Sequence, residues 1–408
     1  MYLVYTFLLY AGLILTLPWY AFKFRKYAPT LKDRLGYLRI PRLQRSVWMH
    51  AVSVGEVNAV RKLTTKLRIT HPGQPIVLST ITPAGQELAR STAGLADHVF
   101  FFPLDLPGAI RRTLDHVNPE LVLIAETEIW PNFLRECSKR NIRVVMVNGR
   151  ISDRSFPRYR MIRHWLKRVL ADFTVLGMQT ETDRERIESI GADGKKVTVF
   201  GNLKYDALEV DRALPADLSE RLARLKPLWI AASTMPGEEE QVLDAFAALR
   251  KRHPQLALLI APRHPERFDS VEKIIRARGF ACSRRSQQPE NAEVLLLDSV
   301  GELASTFRHA AVVFVGGSLV PRGGHNILEP AAFSKPILFG PHMENFRDIR
   351  DLFLKARGAL EVRDVTQLTA SIDTLLADTA SATDLGARAR RLVEQNTGAT
   401  ERVLAYLQ

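Results

Sequence analysis

Cysteine is nearly absent from this chain of 408 residues: Cys137 and Cys282 are the only two, far apart in sequence. Without a C-x-x-C motif or a Cys/His cluster, neither a disulfide framework nor a structural zinc site is expected, and a reducing compartment fits best. Short repeats and low-complexity tracts are also missing, which excludes solenoids and arrays. The hydrophobic share of 46% is that of a globular protein, and the length predicts two or three domains.

Acidic residues are too few to balance the basic ones, 44 against 57, which leaves a net charge of +13. The excess is confined to two segments: residues 23–45 carry eight basic residues and one acid, and residues 150–168 carry seven and one. Such patches attract the phosphates of nucleic acids, of anionic membranes or of phosphorylated lipids.

The first 22 residues contain no charged side chain. A helix of this length, at about 1.5 Å per residue, would span a hydrocarbon core of about 30 Å. A cleaved signal peptide would need a basic n-region, whereas here Lys23, Arg25 and Lys26 follow the apolar run. We therefore expect an uncleaved membrane anchor at residues 1–22, with the following domains on the cytoplasmic side. A buried core helix and a helix lying within the membrane surface stay open as alternatives.

From residue 47 onward, short apolar runs alternate with longer amphipathic stretches. This alternation predicts βαβ units, and hence two doubly wound, Rossmann-like α/β domains whose parallel sheets face a cleft. A polar stretch with Pro215 and Pro227 suggests domains at 23–206 and 228–408 joined by a linker at 207–227. The predicted strands are 47–53, 76–80, 99–103, 121–126, 144–148, 173–178 and 197–202, followed by 228–233, 256–262, 294–298, 312–318 and 336–340.

In the first half, acidic and basic residues stand where strands should end. Glu56 falls in the first turn after strand 47–53, where it is either a favourable partner for the helix dipole or a general base. Glu126 and Glu128 end strand 121–126, and without a nearby histidine they form a weak metal ligand set. Lys204 follows strand 197–202, where it is either a solvated cap or a cation that stabilises a leaving phosphate.

In the second half, four glycines between 316 and 324 follow a predicted buried strand and precede a helix, which favours a phosphate site. The run matches neither the Walker motif nor G-x-G-x-x-G. Arg263 is suited to bidentate phosphate binding, residues 299–303 to contacts with a base, and Glu329 to a ribose diol. His264 and His325 are interpreted as orienting these loops rather than as catalysts.

Several short motifs together resemble the 3-deoxy-D-manno-octulosonic acid (Kdo) transferases, which are glycosyltransferases of GT-B architecture. The resemblance covers the apolar N-terminus and almost the whole chain. The motifs are SVGE at 53–56, TPxG at 82–85, ExExWPN at 126–132, GNLK at 201–204, PRHPER at 262–267 and GGHNxLE at 323–329.

The resemblance implies transfer of Kdo from CMP-Kdo to the lipid A precursor lipid IVA, with inversion, on the cytoplasmic face of the inner membrane. It implies Glu56 as the base and Glu126 and Lys204 as stabilisers of the transition state. CMP-Kdo is then a substrate and no cofactor or metal is expected, because a leaving nucleoside monophosphate can be stabilised by Arg, Lys and a helix N-terminus. Contacts with CMP are implied for Pro262, Arg263, Val300, Gly301, Glu302, Asn326, Ile327, Leu328 and Glu329.

Two other interpretations stay open. Another GT-B enzyme, such as a UDP-sugar transferase or a nucleotide-sugar 2-epimerase, would carry a similar glycine-rich segment. A non-catalytic protein could use the positive charge to bind membranes or nucleic acid, and would not depend on Glu56. We expect anionic lipids rather than nucleic acid as partners, because the apolar N-terminus accompanies the basic segments.

Overall fold

The computed structural model describes residues 2–22, 30–208, 213–287 and 292–408, with side chains in the first segment described through Thr16. The chain divides into two compact units, one made of Met1–Ala207 with Asn396–Gln408 and the other of Leu208–Gln395. The predicted positive charges at Lys23, Arg25 and Lys26 lie outside the described residues, as does part of the predicted linker, at 209–212.

The N-terminal unit is built on a parallel sheet in the order β3-β2-β1-β4-β5-β6-β7. Its strands are β1 Ser46–His50, β2 Ile76–Thr80, β3 His98–Phe101, β4 Pro119–Ala125, β5 Arg143–Gly149, β6 Val175–Met178 and β7 Val197–Val199. Residues alternate between the two faces of β1, so Trp48 packs in one core cluster while Val47 and Met49 pack in the other. Both faces are therefore buried, as in other parallel sheets.

Helices of the N-terminal unit cover both faces of this sheet, and several begin at a proline, whose fixed φ suits the first turn. The Thr82 hydroxyl accepts the Gly85 amide and so caps one of them. The helices are Tyr2–Phe22, Val54–Thr70, Pro83–Ser91, Pro107–Val117, Pro131–Lys139, Phe156–Met161, Arg163–Leu170, Glu181–Ser189 and Ala399–Leu407, with single turns at Gly194–Lys196 and Leu203–Tyr205.

The C-terminal unit is also built on a parallel sheet, in the order β10-β11-β9-β8-β12-β13-β14. Its strands are β8 Leu228–Thr234, β9 Ala257–Pro262, β10 Cys282–Arg284, β11 Val294–Leu296, β12 Val312–Val315, β13 Ile337–Phe339 and β14 Leu360–Glu361. Its helices are Ala216–Arg224, Glu239–Arg250, Phe268–Ala277, Leu303–Thr306, Leu328–Ala332, Arg347–Lys355, Val365–Ala377 and Thr379–Asn396.

The two parallel α/β domains predicted from the sequence are confirmed, and each predicted apolar run overlaps a strand. The sequence missed β10 and β14, which have only three and two residues. The domain boundaries differ from the prediction at two places. Residues 396–408 belong to the N-terminal unit rather than to the second domain, and the predicted linker contains the helix Ala216–Arg224 of the C-terminal unit.

The apolar N-terminus forms the helix Tyr2–Phe22. In the part of the chain that the structure describes, no helix meets the length and hydrophobicity required to span a membrane. One face of the helix packs on the unit: the Tyr2 hydroxyl donates to Asp172 at 2.5 Å, and the Tyr5 and Trp165 ring centroids are 5.8 Å apart. The opposite face exposes Leu3, Val4, Phe7, Leu8, Ile14 and Leu15.

Candidate active site

The strand order of the N-terminal sheet reverses between β1 and β4. In open parallel sheets, ligands bind at such a switch point, outside the carboxyl ends of the strands. Glu56 follows β1 and Glu126 follows β4, so the two carboxylates flank this point, as the sequence predicted from the strand ends. Lys204 lies in the single turn Leu203–Tyr205 at the same edge of the sheet.

Glu56 lies in the first turn of the helix Val54–Thr70. Its carboxylate accepts hydrogen bonds from the Val52 amide at 2.7 Å and from the Ser53 hydroxyl at 3.0 Å, both of which precede the helix. Burial, and then the negative charge of Glu126, raise the pKa of Glu56 to about 7. Glu56 thus holds the turn between β1 and the helix, and it also has the pKa of a general base that works near neutral pH.

Glu126 has a backbone φ of 58°, which is uncommon for a residue other than glycine. Its amide donates to the Val147 carbonyl at 2.9 Å, and one carboxylate oxygen lies 3.5 Å from the Lys204 ammonium. Backbone strain of this kind costs about 1–3 kcal/mol and concentrates at functional sites. The strained backbone of Glu126 and its contact with Lys204 therefore make this pair a candidate for the reaction centre.

Glu128 adds a third carboxylate to this region. Burial and the charge of Glu126 raise its pKa to about 7. The charge of Glu128 in turn contributes to the raised pKa of Glu56. The charge of Glu126 therefore raises the pKa of both Glu56 and Glu128, and the Lys204 ammonium places an opposite charge beside Glu126.

Three polar residues, to which the sequence analysis gave no role, hold the Lys204 turn. The Asn148 side-chain oxygen accepts the Leu203 amide at 2.9 Å, and the Asn202 side-chain oxygen accepts the Lys204 amide at 2.9 Å. Gln179 joins them: it donates to the Asn148 carbonyl and accepts from the Asn202 amide group, each at 3.0 Å. Asn148 has a φ of 59°, a signal that only the structure reveals.

The electrostatic coupling between Glu126 and Glu56 leads to a prediction about pH. In Glu126→Gln the neighbouring negative charge is gone, so the pKa of Glu56 falls and the base stays deprotonated at lower pH. We expect the acidic limb of kcat/KM to move to lower pH, although the remaining rate is reduced.

The measurement is the pH profile of kcat/KM for the wild type and for Glu126→Gln. Glu128→Gln is the matched comparison. It should shift the acidic limb less, because the charge of Glu128 raises the pKa of Glu56 less than the charge of Glu126 does. A limb that stays in place in both variants would contradict this account of the Glu56 pKa.

In the C-terminal unit, the predicted nucleotide contacts fall on three segments that follow β9, β11 and β12. These strands lie on either side of β8 in the sheet, and all of them run parallel. Their carboxyl ends therefore meet at one edge, and the strand order reverses between β8 and β12. The topology thus brings the segments to the edge where a nucleotide is expected.

The first two of these segments present accessible groups. The Arg263 side chain is exposed beyond β9, whereas Pro262 is buried at the end of that strand. Val300 is 79% exposed, and Gly301 has a φ of 88°. The Glu302 carboxylate accepts bonds from Arg285 and from the Ser299 hydroxyl. Val300, Gly301 and Glu302, together with Ala213, Leu214, Pro215, Ser299 and Ser305, line a cavity of about 570 Å³.

The third segment, 326–329, contains both accessible and buried residues. Asn326 donates to Glu329 at 3.0 Å, and its side-chain oxygen accepts the Leu328 amide at 3.1 Å. Ile327 and Leu328 are fully buried, so any contact they make with a nucleotide must come from the backbone. Burial, followed by the charges of Arg263 and His264, lowers the pKa of His325 to about 4.

No three or more His, Cys, Asp or Glu side chains are grouped to bind a metal ion in the described ranges. The polar groups identified above are instead carboxylates, one lysine and one arginine at the carboxyl edges of two parallel sheets. These features define the architecture, two parallel α/β domains of the GT-B type. The fold is shared with a glycosyltransferase from Rickettsia africae, at a TM-score of 0.57 and 13% identity over 89% of this chain and 97% of the other.

Comparison with sequence families identifies the chain further. Residues 29–207 match the family model described as 3-deoxy-D-manno-octulosonic-acid transferase (kdotransferase). A 3-deoxy-D-manno-octulosonic acid transferase from Haemophilus influenzae is 36% identical over 94% of this chain and 92% of its own length. One from Bordetella pertussis is 32% identical over 94% and 91%. The chain belongs to the Kdo transferase family, as its motifs predicted.

Proposed function

We propose that this Kdo transferase moves Kdo from CMP-Kdo to lipid IVA with inversion of the anomeric centre. The observation that carries the proposal is the group formed by Glu56, Glu126 and Lys204 at the switch point of the N-terminal sheet. It contains the Glu56 carboxylate, whose pKa is raised to about 7, and the ion pair between Lys204 and Glu126, whose backbone is strained. One base and one stabilised leaving phosphate are what a single displacement requires.

Glu56 is the proposed base. Two of its hydrogen bonds come from Val52 and Ser53, and an ionised carboxylate has about four acceptor sites, so it retains capacity for an acceptor hydroxyl. Proton transfer to Glu56 accompanies attack of that hydroxyl oxygen on the anomeric carbon. Because the bond to the CMP phosphate breaks as the new bond forms on the opposite face, the product is inverted.

Lys204 and Glu126 act on the charge that develops in the transition state. The Lys204 ammonium stabilises negative charge on the departing phosphate, and Glu126 orients that ammonium at 3.5 Å while stabilising positive charge on the sugar. CMP itself is assigned to the C-terminal unit, with Arg263 on the phosphate and Glu329 on the ribose. Pro262, Val300, Gly301, Glu302, Asn326, Ile327 and Leu328 complete the proposed set of contacts.

The proposal is tested by incubating the purified chain with CMP-Kdo and lipid IVA and measuring the mass of the lipid. Addition of one or more Kdo units supports it, and NMR of the product reports the anomeric configuration. UDP-N-acetylglucosamine replaces CMP-Kdo in a parallel reaction, because the fold is also that of a 2-epimerase from Neisseria meningitidis, with a TM-score of 0.59 and 13% identity. Turnover of the UDP-sugar without Kdo transfer would refute the proposed donor.

We also propose that the N-terminal unit rests on the cytoplasmic face of the inner membrane. The helix Tyr2–Phe22 packs beside the helix Arg163–Leu170 through the Tyr5–Trp165 ring contact, and its other face exposes apolar side chains. Met161 and Ile162, where the helix Phe156–Met161 meets the helix Arg163–Leu170, are 84% and 47% exposed. Exposed basic side chains lie on both sides of them in the sequence: Arg154, Arg158, Arg160, Arg163, Lys167 and Arg168. Apolar groups flanked by cations are typical of surfaces that bind anionic lipids.

A triple variant tests this membrane surface. In Arg158→Gln/Arg160→Gln/Arg163→Gln, three charges worth about 1 kcal/mol each near an anionic surface are lost, so we expect vesicle affinity to fall roughly a hundredfold. The measurement is co-sedimentation with vesicles containing phosphatidylglycerol. The control, Lys251→Gln/Lys273→Gln/Arg391→Gln, removes three exposed charges of the C-terminal unit and should bind as the wild type does. Equal loss in both variants would show nonspecific attraction only.

A further inference from the structure

Two consecutive buried carboxylates, Glu238 and Glu239, lie beyond the end of β8, and both are inaccessible to solvent. The sequence analysis gave them no role, because acids in the first turn of a helix are ordinary. Moving a carboxylate out of water costs several kcal/mol unless hydrogen bonds or an opposite charge compensate it. For each of these two side chains, hydrogen bonds compensate the loss of water. Those of Glu238 come mainly from the glycine-rich segment that follows β12, and those of Glu239 come mainly from Arg267 in the segment that follows β9.

Glu238 is compensated by backbone amides alone. One carboxylate oxygen accepts the amides of Met235 at 2.9 Å and Gly317 at 2.6 Å, and the other accepts those of Ser318 and Leu319, both at 2.9 Å. Three of the four amides belong to the beginning of the glycine-rich segment that follows β12. Since these amides point at Glu238, they are occupied within the protein.

The segment is packed so closely against Glu238 that glycine is required. A Cβ atom on Gly316 would lie 2.8 Å from a Glu238 carboxylate oxygen and 2.7 Å from the Ser233 carbonyl. The Gly317 carbonyl in turn accepts the Gly324 amide at 2.8 Å, and the His325 ring lies against Gly317. Glu238 therefore fixes the first turn of the segment, and that turn fixes the residues immediately before Asn326.

Glu239 holds the other loop. Its two oxygens form a bidentate pair with Arg267, at 2.5 and 3.0 Å, and one of them also accepts the Thr234 hydroxyl at 2.8 Å. The Thr234 carbonyl accepts the Arg263 amide at 3.0 Å. Both ends of the segment 263–267 are thus tied to Glu239, directly through Arg267 and indirectly through Thr234.

We propose that Glu238 and Glu239 are positioning residues that hold the two nucleotide-binding loops, 262–267 and 316–329, in their binding conformation before the sugar nucleotide arrives. This inference rests on the proposed binding of CMP-Kdo by these loops. Preorganisation of this kind lowers the free-energy cost of ordering loops on binding. Neither glutamate contacts substrate, so neither is a catalytic residue.

The test is Glu238→Gln in the full chain. Glutamine presents an NH₂ group to two amides that need an acceptor, so the loop loses bonds to a charged group. We expect the Kd for CMP and the KM for CMP-Kdo to rise roughly ten- to a hundredfold, with the KM for lipid IVA unchanged. Glu239→Gln should change the same two constants. A purely structural role would lower the active fraction, and hence kcat, while leaving the donor KM unchanged.

Glu240→Gln is the matched control, since Glu240 is the next residue of the same helix and forms no hydrogen bond with either loop in the described part of the chain. It should keep the wild-type constants. Should the glutamine variants fail to fold, hydrogen exchange of the unliganded wild type decides instead: the amides of Gly317, Ser318 and Leu319 must exchange slowly without CMP. Rapid exchange there, or a wild-type donor KM in folded Glu238→Gln, would overturn the inference. If the wild type transferred no Kdo at all, the proposed function would have failed instead.

Discussion

Replacing Glu56 with glutamine is expected to slow Kdo transfer by roughly 10²- to 10⁴-fold, the usual contribution of a positioned general base. The variant should fold, because both hydrogen bonds of Glu56 can be replaced. The glutamine oxygen can still accept a hydrogen bond from the Val52 amide. The Ser53 hydroxyl, which donates to the wild-type carboxylate, can instead accept a hydrogen bond from the glutamine NH₂ group. Binding of CMP should not change, since the proposed nucleotide contacts belong to the C-terminal unit.

Single-turnover rates with CMP-Kdo and lipid IVA measure the loss, and calorimetry with CMP provides the control. In the wild type, a base whose pKa is about 7 is protonated below that pH, so the rate should fall as the pH is lowered through 7. The glutamine variant should lose this acidic limb. Transfer at the wild-type rate by Glu56→Gln would exclude Glu56 as the base.

Lys204→Met is expected to lower kcat by roughly 10²- to 10³-fold, the usual loss when one electrostatic stabiliser is removed. The variant has a second consequence, because the positive charge 3.5 Å from Glu126 disappears from a region that holds three acids. The pKa of Glu56 then rises, and the acidic limb of the remaining activity should move to higher pH, opposite to the shift expected for Glu126→Gln.

The matched control for Lys204 is Lys195→Met, which removes an exposed lysine of the same unit. It should retain both the wild-type rate and the wild-type pH profile. The measurement is kcat and kcat/KM across the pH range for the three proteins. A lower kcat in Lys204→Met without a shift of the acidic limb to higher pH would support the role of Lys204 in catalysis. It would contradict the proposed effect of its charge on the pKa of Glu56.

Most of the fold could be predicted because apolar runs separated by amphipathic stretches have few stable arrangements other than parallel α/β layers. The strands β10 and β14 were missed because segments of three and two residues leave no periodic pattern to detect. The last helix was assigned to the wrong unit for a different reason: its position depends on contacts with residues nearly two hundred positions earlier in the chain. Local sequence carries no information about those contacts.

The placement of candidate side chains at the sheet edge was predictable where they come soon after a strand, as for Glu56, Glu126 and Lys204. The supporting residues were not, because Asn148, Gln179 and Glu238 are ordinary polar residues whose partners are distant in sequence. The glycine-rich segment shows the same limit. Its glycines suggested an open cradle for phosphate, whereas the structure shows Gly316 packed against Glu238 and the amides of Gly317, Ser318 and Leu319 occupied by that carboxylate.

Because residues 396–408 belong to the N-terminal unit, that unit cannot be produced as one continuous fragment of the chain. The Asp206 carboxylate accepts the amides of Gly398 at 2.6 Å and Thr400 at 2.5 Å, at the start of the helix Ala399–Leu407. Val403 and Leu404 of that helix are buried in the same core cluster as Val60. A recombinant fragment that stops at Ala207 would therefore expose the part of this core cluster that the helix covers and leave the Asp206 carboxylate without these two amides, and supplying residues 396–408 as a separate peptide should restore both contacts.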